Sequence, residues 1–379
     1  MKLLYYSAVA TGGLADYAHA QANALAQLGI EVTMLCPADA EVPASTRYKR
    51  VPELVPFARR IAFRRLQQAG RIIRNIRFLE RHIRKSHFSH VLLGSYSEYL
   101  SPLWANRLTR LAREGIVFGA VVHDPVRDFV LGPRWWHRWS IACAYSFLQE
   151  AFVHGEIALD TAQRMPELHT TVVPHGQTRF PPGSQGRQIT RKQLDLPSTA
   201  TVLLAFGHVR DGKNLDLILK AMRAFPAIYL VVAGKEQSSG QRRLNYYQKI
   251  AKSFGVAERC RWWNDYVPES KVGDLFEASD IVLLTYSRQF VSASSVLGAA
   301  VQFRRLCLAS SGDGPVREVV TKYRLGKWVE PDSMEAIEAG LQCLIQNPTT
   351  PDWDSFSREN SWEANARIVA ERMFEDRLH

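Results

Sequence analysis

Long apolar runs are what this sequence most plainly lacks: nowhere in its 379 residues is there an uninterrupted stretch of the roughly 20 apolar residues that a helix needs to cross a bilayer. A membrane-spanning helix is excluded on that ground. The opening MKLLYYSAVATGG has neither the basic start nor the long apolar run of a signal peptide, so the chain is expected to stay in the cytosol. Cysteine is scarce. The five residues Cys36, Cys143, Cys260, Cys307 and Cys343 are scattered and mostly sit inside apolar runs, which speaks against a disulfide framework or a zinc knuckle and for reduced core thiols. No structural metal is expected. Internal repeats and low-complexity tracts are absent as well. Acidic residues nearly vanish between Phe57 and His90, where Glu80 alone faces ten Arg or Lys, and this stretch holds most of the formal charge of +11.

What is present is a length beyond one hydrophobic core, so two domains are the natural reading. Leu3 to Tyr6 form a short apolar run ending at Gly12-Gly13, and a helical pattern follows through Ala18, Ala22 and Leu25. Strands are predicted at Ile30 to Leu35, Val91 to Gly94 and Ile116 to His123, with another ending at Val173-Pro174. From Gly176 to Pro197 the periodicity fails and Pro, Gly and Ser accumulate, which marks a linker. Alternation then resumes, with strands predicted at Thr201 to Phe206, Ala227 to Ala233, Arg261 to Asn264, Ile281 to Thr285, Arg305 to Ala309 and Lys327 to Val329. The predicted fold is α/β: two Rossmann-like, doubly wound parallel-sheet domains facing across a cleft. The boundaries are 1–178, a linker over 179–197, a second domain over 198–359, and a terminal helix over 360–379 that packs back on the first domain. Ligands of such sheets sit beyond the carboxyl ends of the strands.

Five loops at such ends carry candidate chemistry. Phe206-Gly207-His208-Val209-Arg210-Asp211-Gly212-Lys213-Asn214 follows a strand and opens a helix. Gly207 lets backbone approach a ligand, and Arg210 and Lys213 are spaced to reach one diphosphate together. The plainer alternative is a turn with two solvated cations. Ser292-Ala293-Ser294-Ser295 leads into a helix and offers hydroxyls and backbone N–H groups to phosphate, or else simple N-capping. Gly12-Gly13-Leu14-Ala15-Asp16-Tyr17 ends the first strand, and Gly12, Asp16 and Tyr17 are acceptor-side candidates. His123-Asp124 and Val173-Pro174-His175-Gly176 end two further strands, where an imidazole or carboxylate can position a sugar hydroxyl or stabilise charge. A satisfied structural histidine is the alternative at each.

Taken in order, these motifs resemble the retaining nucleotide-sugar glycosyltransferases of the GT-B fold, specifically family four. The resemblance runs over nearly the whole chain and includes the first glycine pair, His-Asp, Val-Pro-His-Gly, Gly-x-x-Arg-x-x-Lys, Ala278 to Leu284 and the terminal Ser361-Trp362-Glu363. It implies that Arg210 and Lys213 neutralise the donor diphosphate, that Gly13 lies near the donor phosphates or the acceptor, and that His123 lies by the transferred sugar. It also implies retention of anomeric configuration, with a departing phosphate oxygen taking the acceptor proton, and no need of a metal or cofactor beyond the nucleotide-sugar donor. In one respect the chain departs from the family. The family's paired glutamates fall at Val291 and Ala299, leaving Ser292, Ser294 and Ser295 to hold phosphate and Glu318 as a downstream carboxylate. That loss keeps a second class of function in view, a catalytically silent homologue acting as a membrane-associated scaffold. An epimerase on the same fold would need acid and base carboxylates that no motif supplies.

The basic segment carries Ile61, Leu66, Ile72, Ile73, Ile76, Leu79 and Ile83 at helical intervals among its arginines, a pattern that suits either a helix lying on anionic lipid or an ordinary core stripe. Arg64, Arg65, Arg71 and Arg74, with Trp135 and Trp136 from the run Arg134 to Trp139, are the membrane-facing candidates. They point to a saccharide or lipid-linked acceptor and a peripheral position on the inner face of a membrane, as expected for cell-surface polysaccharide or glycolipid synthesis. Nucleic acid is not expected, since no recognised module accompanies the charge.

Overall fold

The computed structural model describes residues 1–40, 46–56, 64–126, 130, 132–236 and 241–375, with the backbone alone for 64–66. The chain divides into two compact units, Met1–Gly176 with the segment from Asn360 onward, and Gln177–Glu359.

The first unit runs β1 (Lys2–Ser7), α1 (Gly13–Gln27), β2 (Glu31–Pro37), β3 (Lys49–Leu54), α2 (Arg64–Ser86), β4 (His90–Ser95), α3 (Ala105–Arg113), β5 (Val117–Val121), α4 (Arg134–Tyr145), β6 (Glu150–Val153) and β7 (His169–Val172). The second runs α5 (Arg187–Gln193), β8 (Thr201–Phe206), α6 (Leu215–Ala221), β9 (Ile228–Ala233), α7 (Leu244–Ser253), β10 (Cys260–Trp263), α8 (Glu269–Ala278), β11 (Ile281–Thr285), α9 (Ser295–Gln302), β12 (Leu306–Ser310), α10 (Pro315–Lys322), β13 (Gly326–Trp328), α11 (Met334–Gln346) and α12 (Trp353–Glu359). The chain then returns to the first unit with α13 (Trp362–Phe374).

Both sheets are parallel, a seven-stranded one in the order β3-β2-β1-β4-β5-β6-β7 and a six-stranded one in the order β10-β9-β8-β11-β12-β13. Each is covered on both faces by its own apolar cluster. Burial on both faces is why the central strands read as continuous apolar runs rather than as alternating ones. The strand order reverses between β1 and β4 in one unit and between β8 and β11 in the other, so the loops after these strands flank the crevice where such sheets bind ligands.

Two strands escaped the sequence reading for local reasons. β3 carries Pro52 and lies at the sheet edge, where a missing N–H donor is tolerated. β6 contains Glu150, which is buried. Its carboxylate accepts from Arg372 Nε at 3.1 Å and from Thr171 Oγ1 at 3.1 Å, and that pairing makes the charge admissible in the sheet.

The expected linker over 179–197 is corrected by the structure, because these residues are part of the second unit. Phe180 N donates to Gln302 Oε1 at 2.9 Å and Gly183 N to Glu277 Oε1 at 2.8 Å. Arg191 is buried, donating to Asp280 Oδ2 at 2.7 Å and to the Ala278, Ser198 and Ala200 carbonyls. Prolines and glycines here serve close packing: a Cβ at Gly273 would lie 2.5 Å from the Pro181 carbonyl oxygen.

Candidate functional site

In the second unit the loop after β8 forms a cationic pocket at the strand-order reversal. Gly207 has φ +83° and Gly234 φ +154°, and a Cβ at Gly234 would overlap the Gly207 carbonyl, so only glycine lets the two loops touch. A short 3-10 turn over Asp211–Lys213 precedes α6, with Asn214 left-handed at φ 52°. Asn214 Nδ2 donates to Asp332 Oδ1 at 2.9 Å, Thr285 Oγ1 to the Lys213 carbonyl at 2.9 Å, and Ser287 N to the Gly212 carbonyl at 2.9 Å. These bonds fasten the loop to the end of β11 and to the turn before α11.

Lys213 turns inward, and its Nζ donates to the Phe206 carbonyl at 2.6 Å. Burial, and after it the nearby Arg210 charge, push its pKa down to about 7. Arg210 lies over two aromatic faces, with its guanidinium carbon 5.3 Å from the Phe290 ring centre and 5.9 Å from that of Tyr286. Among the described residues no carboxylate forms an ion pair with either cation. Asp211, in the same loop, is occupied: its Oδ1 accepts from Tyr247 Oη at 2.9 Å and from Arg242 N at 3.0 Å. Arg210 and Lys213 thus lie beside a glycine turn with no carboxylate paired to either among the described residues, the chemistry that a phosphate group would meet favourably. His208 is exposed, and burial of its ring, followed by the Lys213 and Arg210 charges, lowers its pKa.

The serine loop has a different geometry from simple capping. Ser294 occupies the N-cap of α9 without a side-chain cap bond, and its Oγ instead lies 2.8 Å from Tyr286 Oη. Ser295 is exposed in the first turn. Val291 packs against the loop after β12, where a Cβ at Gly314 would come within 2.8 Å of the Val291 carbonyl oxygen. Ala299 is buried in the core, and Glu318 is exposed in the first turn of α10. The sequence reading missed Tyr286 and Phe290, which seat Arg210; aromatics directly after an apolar strand were the available signal.

In the first unit Gly12 caps α1 with φ +88°, and both Gly12 and Gly13 are exposed with open space where a Cβ would stand. Asp16 is exposed and Tyr17 is not. Tyr17 Oη accepts from Asn365 Nδ2 at 2.8 Å and Gln21 Nε2 at 3.3 Å, so an acceptor-binding role for its hydroxyl is corrected to a structural one. Asn365 also donates to the Pro174 carbonyl at 2.7 Å and accepts from Gln21 at 2.7 Å, which knits α13 to α1.

Around the Tyr17 ring stand His123, His154, His175 and Trp362, with ring centres 4.6, 5.4, 5.4 and 4.8 Å away. His154 was absent from the sequence reading. Parallel register brings it in: Val121 pairs with Phe152 and Val153 with Val172, so residues two beyond each of Val121 and Phe152 become neighbours. Burial, and then the charge of His175, hold His123 down to about pKa 3; the same causes hold His154 well below the ordinary value, and burial lowers His175. All three are neutral imidazoles at pH 7. Asp124, next to His123, is exposed.

The lipid-facing reading of α2 is corrected in part. Ile72, Ile76, Leu79 and Ile83 are buried in the core of the first unit, so the apolar stripe faces protein. Arg71 is half-buried, and burial lowers its pKa against opposing contributions from Tyr6 and Asp39. Ile61, with the rest of 57–63, and the side chains of Arg64, Arg65 and Leu66 lie outside the described residues. Arg74, Arg77 and Arg81 are exposed. On α4, Trp135 and Trp139 are exposed, whereas Trp136 is half-buried and donates Nε1 to the Tyr99 carbonyl at 3.1 Å. Among the described residues no helix is long and apolar enough to cross a membrane.

Two Rossmann-type units, one with Arg210 and Lys213 at its strand-order reversal, place a basic loop where sheets of this kind bind ligands. Comparison with known proteins agrees. Residues 11–176 match the profile of Glycosyltransferase Family 4, and residues 186–368 that of Glycosyl transferases group 1. The D-inositol 3-phosphate glycosyltransferase of Mycobacterium leprae is 26% identical over 203 residues, 49% of this chain and 44% of that protein. The one from Mycobacterium ulcerans is 27% identical over 197 residues, 49% and 41%. The chain thus spans less than half the length of these relatives. Over whole chains, the catalytic domain of starch synthase IV from Arabidopsis thaliana, bound to ADP and acarbose, superposes with a TM-score of 0.69 at 12% identity, covering 99% of this chain and 98% of that one. The HepE protein of Anabaena, in complex with UDP and glucose, superposes at 0.65 and 14% identity, covering 99% and 95%. WaaG, a glycosyltransferase involved in lipopolysaccharide biosynthesis, gives 0.66 at 14% identity, covering 98% and 99%. The chain belongs to the GT-B glycosyltransferases of the family-four kind.

Proposed function

We propose that the protein is a retaining glycosyltransferase that moves a sugar from a nucleoside-diphosphate sugar to a saccharide or lipid-linked acceptor in cell-surface polysaccharide or glycolipid synthesis. The observation that carries this is the pair Arg210 and Lys213, fixed on the β8 loop with no neutralising carboxylate among the described residues. Such a pair serves the diphosphate as it becomes the leaving group, where negative charge grows. Preorganised donors act most strongly at that point, and removing one typically costs about 3 kcal/mol, roughly a hundredfold in rate. Because two cations are present at the phosphates, no metal is required there. Gly207 and the hydroxyls of Ser292, Ser294 and Ser295 complete the donor side, with Glu318 nearby in sequence. In the first unit Gly12, Gly13, Asp16 and Asp124 offer open polar surface to an acceptor, and His123 contributes a neutral imidazole by the sugar. Exposed Arg74, Arg77, Arg81, Trp135 and Trp139 support attachment to an anionic membrane surface, consistent with a lipid-linked acceptor.

Val291 and Ala299 favour a second reading, a silent scaffold, since neither side chain can hydrogen-bond a sugar or ribose hydroxyl. A thermal-shift screen of nucleoside diphosphates and nucleotide sugars separates the two. The transferase reading requires a shift with one nucleotide that disappears in the Arg210→Ala, Lys213→Ala double variant. No shift with any nucleotide would leave the scaffold. Product NMR then reports whether the anomeric configuration is retained.

A further inference from the structure

Beyond the ends of β5, β6 and β7 the first unit gathers three imidazoles. One ring nitrogen from each of His123, His154 and His175 lies within 4.8 Å of the other two. Two of the rings are oriented by main chain: His154 Nδ1 is 3.2 Å from the Val173 carbonyl oxygen and His175 Nδ1 is 3.3 Å from that of Gly176. A carbonyl only accepts, so each Nδ1 carries the proton and each Nε2 keeps its lone pair. Backbone carbonyls orient metal-ligating histidines in this same way.

One edge of the cluster already has the spacing of a metal site. His154 Nε2 is 3.3 Å from His123 Nδ1, and nitrogen ligands at about 2.0–2.1 Å from a tetrahedral centre are roughly 3.3–3.4 Å apart. His123 Nδ1 meets the lone pair of His154 Nε2, and its Nε2 is buried with no partner among the described residues, a rare condition for a ring nitrogen. The Tyr17 ring packs against all three imidazoles, and a shell of this kind controls the access of solvent to a metal site.

We propose that His123, His154 and His175 form a binding site for one divalent transition ion of the zinc class, with a fourth position open to water or to an oxygen of a ligand. Three imidazoles select zinc, copper or nickel over magnesium or calcium, which require oxygen ligands. The ion would pin the loops after three adjacent strands to the base of α1. Nothing in this inference depends on the transferase reading.

The test uses the full chain, stripped with chelator and then titrated with zinc against a chromophoric chelator and with cobalt(II) by visible absorption. The expected result is one equivalent bound per chain, intense visible bands of tetrahedral cobalt with no thiolate-to-metal band, and at least a tenfold loss of affinity in His175→Ala and in His154→Gln. Absence of a stoichiometric site overturns the proposal. So does binding that both variants leave unchanged, or a thiolate band, which would place the ion on cysteine. Should the variants fail to fold, the wild-type cobalt spectrum decides alone, and weak octahedral bands count against the site.

Discussion

Replacing Lys213 by Met should change how nucleotide binding depends on pH, and the size of the change follows from the lysine's surroundings. In the nucleotide-free protein its pKa is about 7, because burial and then Arg210 disfavour the ammonium. A phosphate charge about 4 Å away, at an effective dielectric of about 20, stabilises the ammonium by roughly 4 kcal/mol. That is enough to return it to the ordinary lysine range. Binding above pH 7 must therefore take up a proton. At pH 8 about nine in ten free sites hold the neutral amine, so uptake approaches one proton, and affinity falls about tenfold per pH unit from about 7 upward. Calorimetry of nucleoside diphosphate binding in buffers of different ionisation enthalpy measures the uptake directly. Lys213→Met should abolish it. For stability the sign is opposite: a depressed lysine pKa destabilises the folded state fully below about pH 7, and the cost is relieved as pH rises toward the ordinary value. The full cost is on the order of 5 kcal/mol, against about 1 kcal/mol for the lost bond to Phe206. The nucleotide-free Lys213→Met protein should thus melt higher than wild type at pH 6 while binding nucleotide more weakly. Proton uptake unchanged in the variant, or absent in wild type, would refute the reasoning.

Asp280→Asn should destabilise the second unit by about 3–5 kcal/mol in urea unfolding, since it removes the charge paired with buried Arg191 and leaves that guanidinium uncompensated. Asn365→Leu should lower the stability of the first unit by at least about 2–3 kcal/mol, because the Pro174 carbonyl, Gln21 and the Tyr17 hydroxyl all lose a buried partner; the urea midpoint reports it. Ser294→Ala removes only the bond to Tyr286, so unfolding should shift by about 1 kcal/mol while the Michaelis constant for donor rises. Liposome flotation should require anionic lipid, weaken with added salt, and fall in a Trp135→Ala, Trp139→Ala variant; binding that ignores salt would count against the surface claim.

How legible each feature was in the sequence depended on how local its cause is. Gly207, Arg210 and Lys213 could be read directly because one loop carries both the backbone permission and the charge. His154 could not, because its meaning arises only from the register of β5, β6 and β7, which no single strand encodes. Glu150 hid β6 because its partner Arg372 lies 222 residues away. The stripe on α2 was ambiguous for a different reason: lipid and a sheet accept the same apolar face, and only the assembled core, with Ile76 and Leu79 inside it, decides between them. The Ser294 hydroxyl was misjudged as a potential cap because Tyr286, its actual partner, belongs to the preceding strand-end loop.

The missing glutamates and the seat of Arg210 are two sides of one arrangement. A carboxylate beside a guanidinium holds it in place but also neutralises it, which weakens its pull on a phosphate. Here the place is held by rings instead. Tyr286 and Phe290 stack with centres 4.1 Å apart, Arg210 lies over both, and Ser294 ties the Tyr286 hydroxyl to the start of α9. Aromatic faces attract a cation through their quadrupole and leave its net charge intact. The hydroxyl–ring–guanidinium chain therefore positions Arg210 while its positive charge stays unneutralised. Val291 packs against the loop after β12 and Ala299 is buried in the core, so an ionised carboxylate at Ala299 would be buried, which is costly unless it is paired.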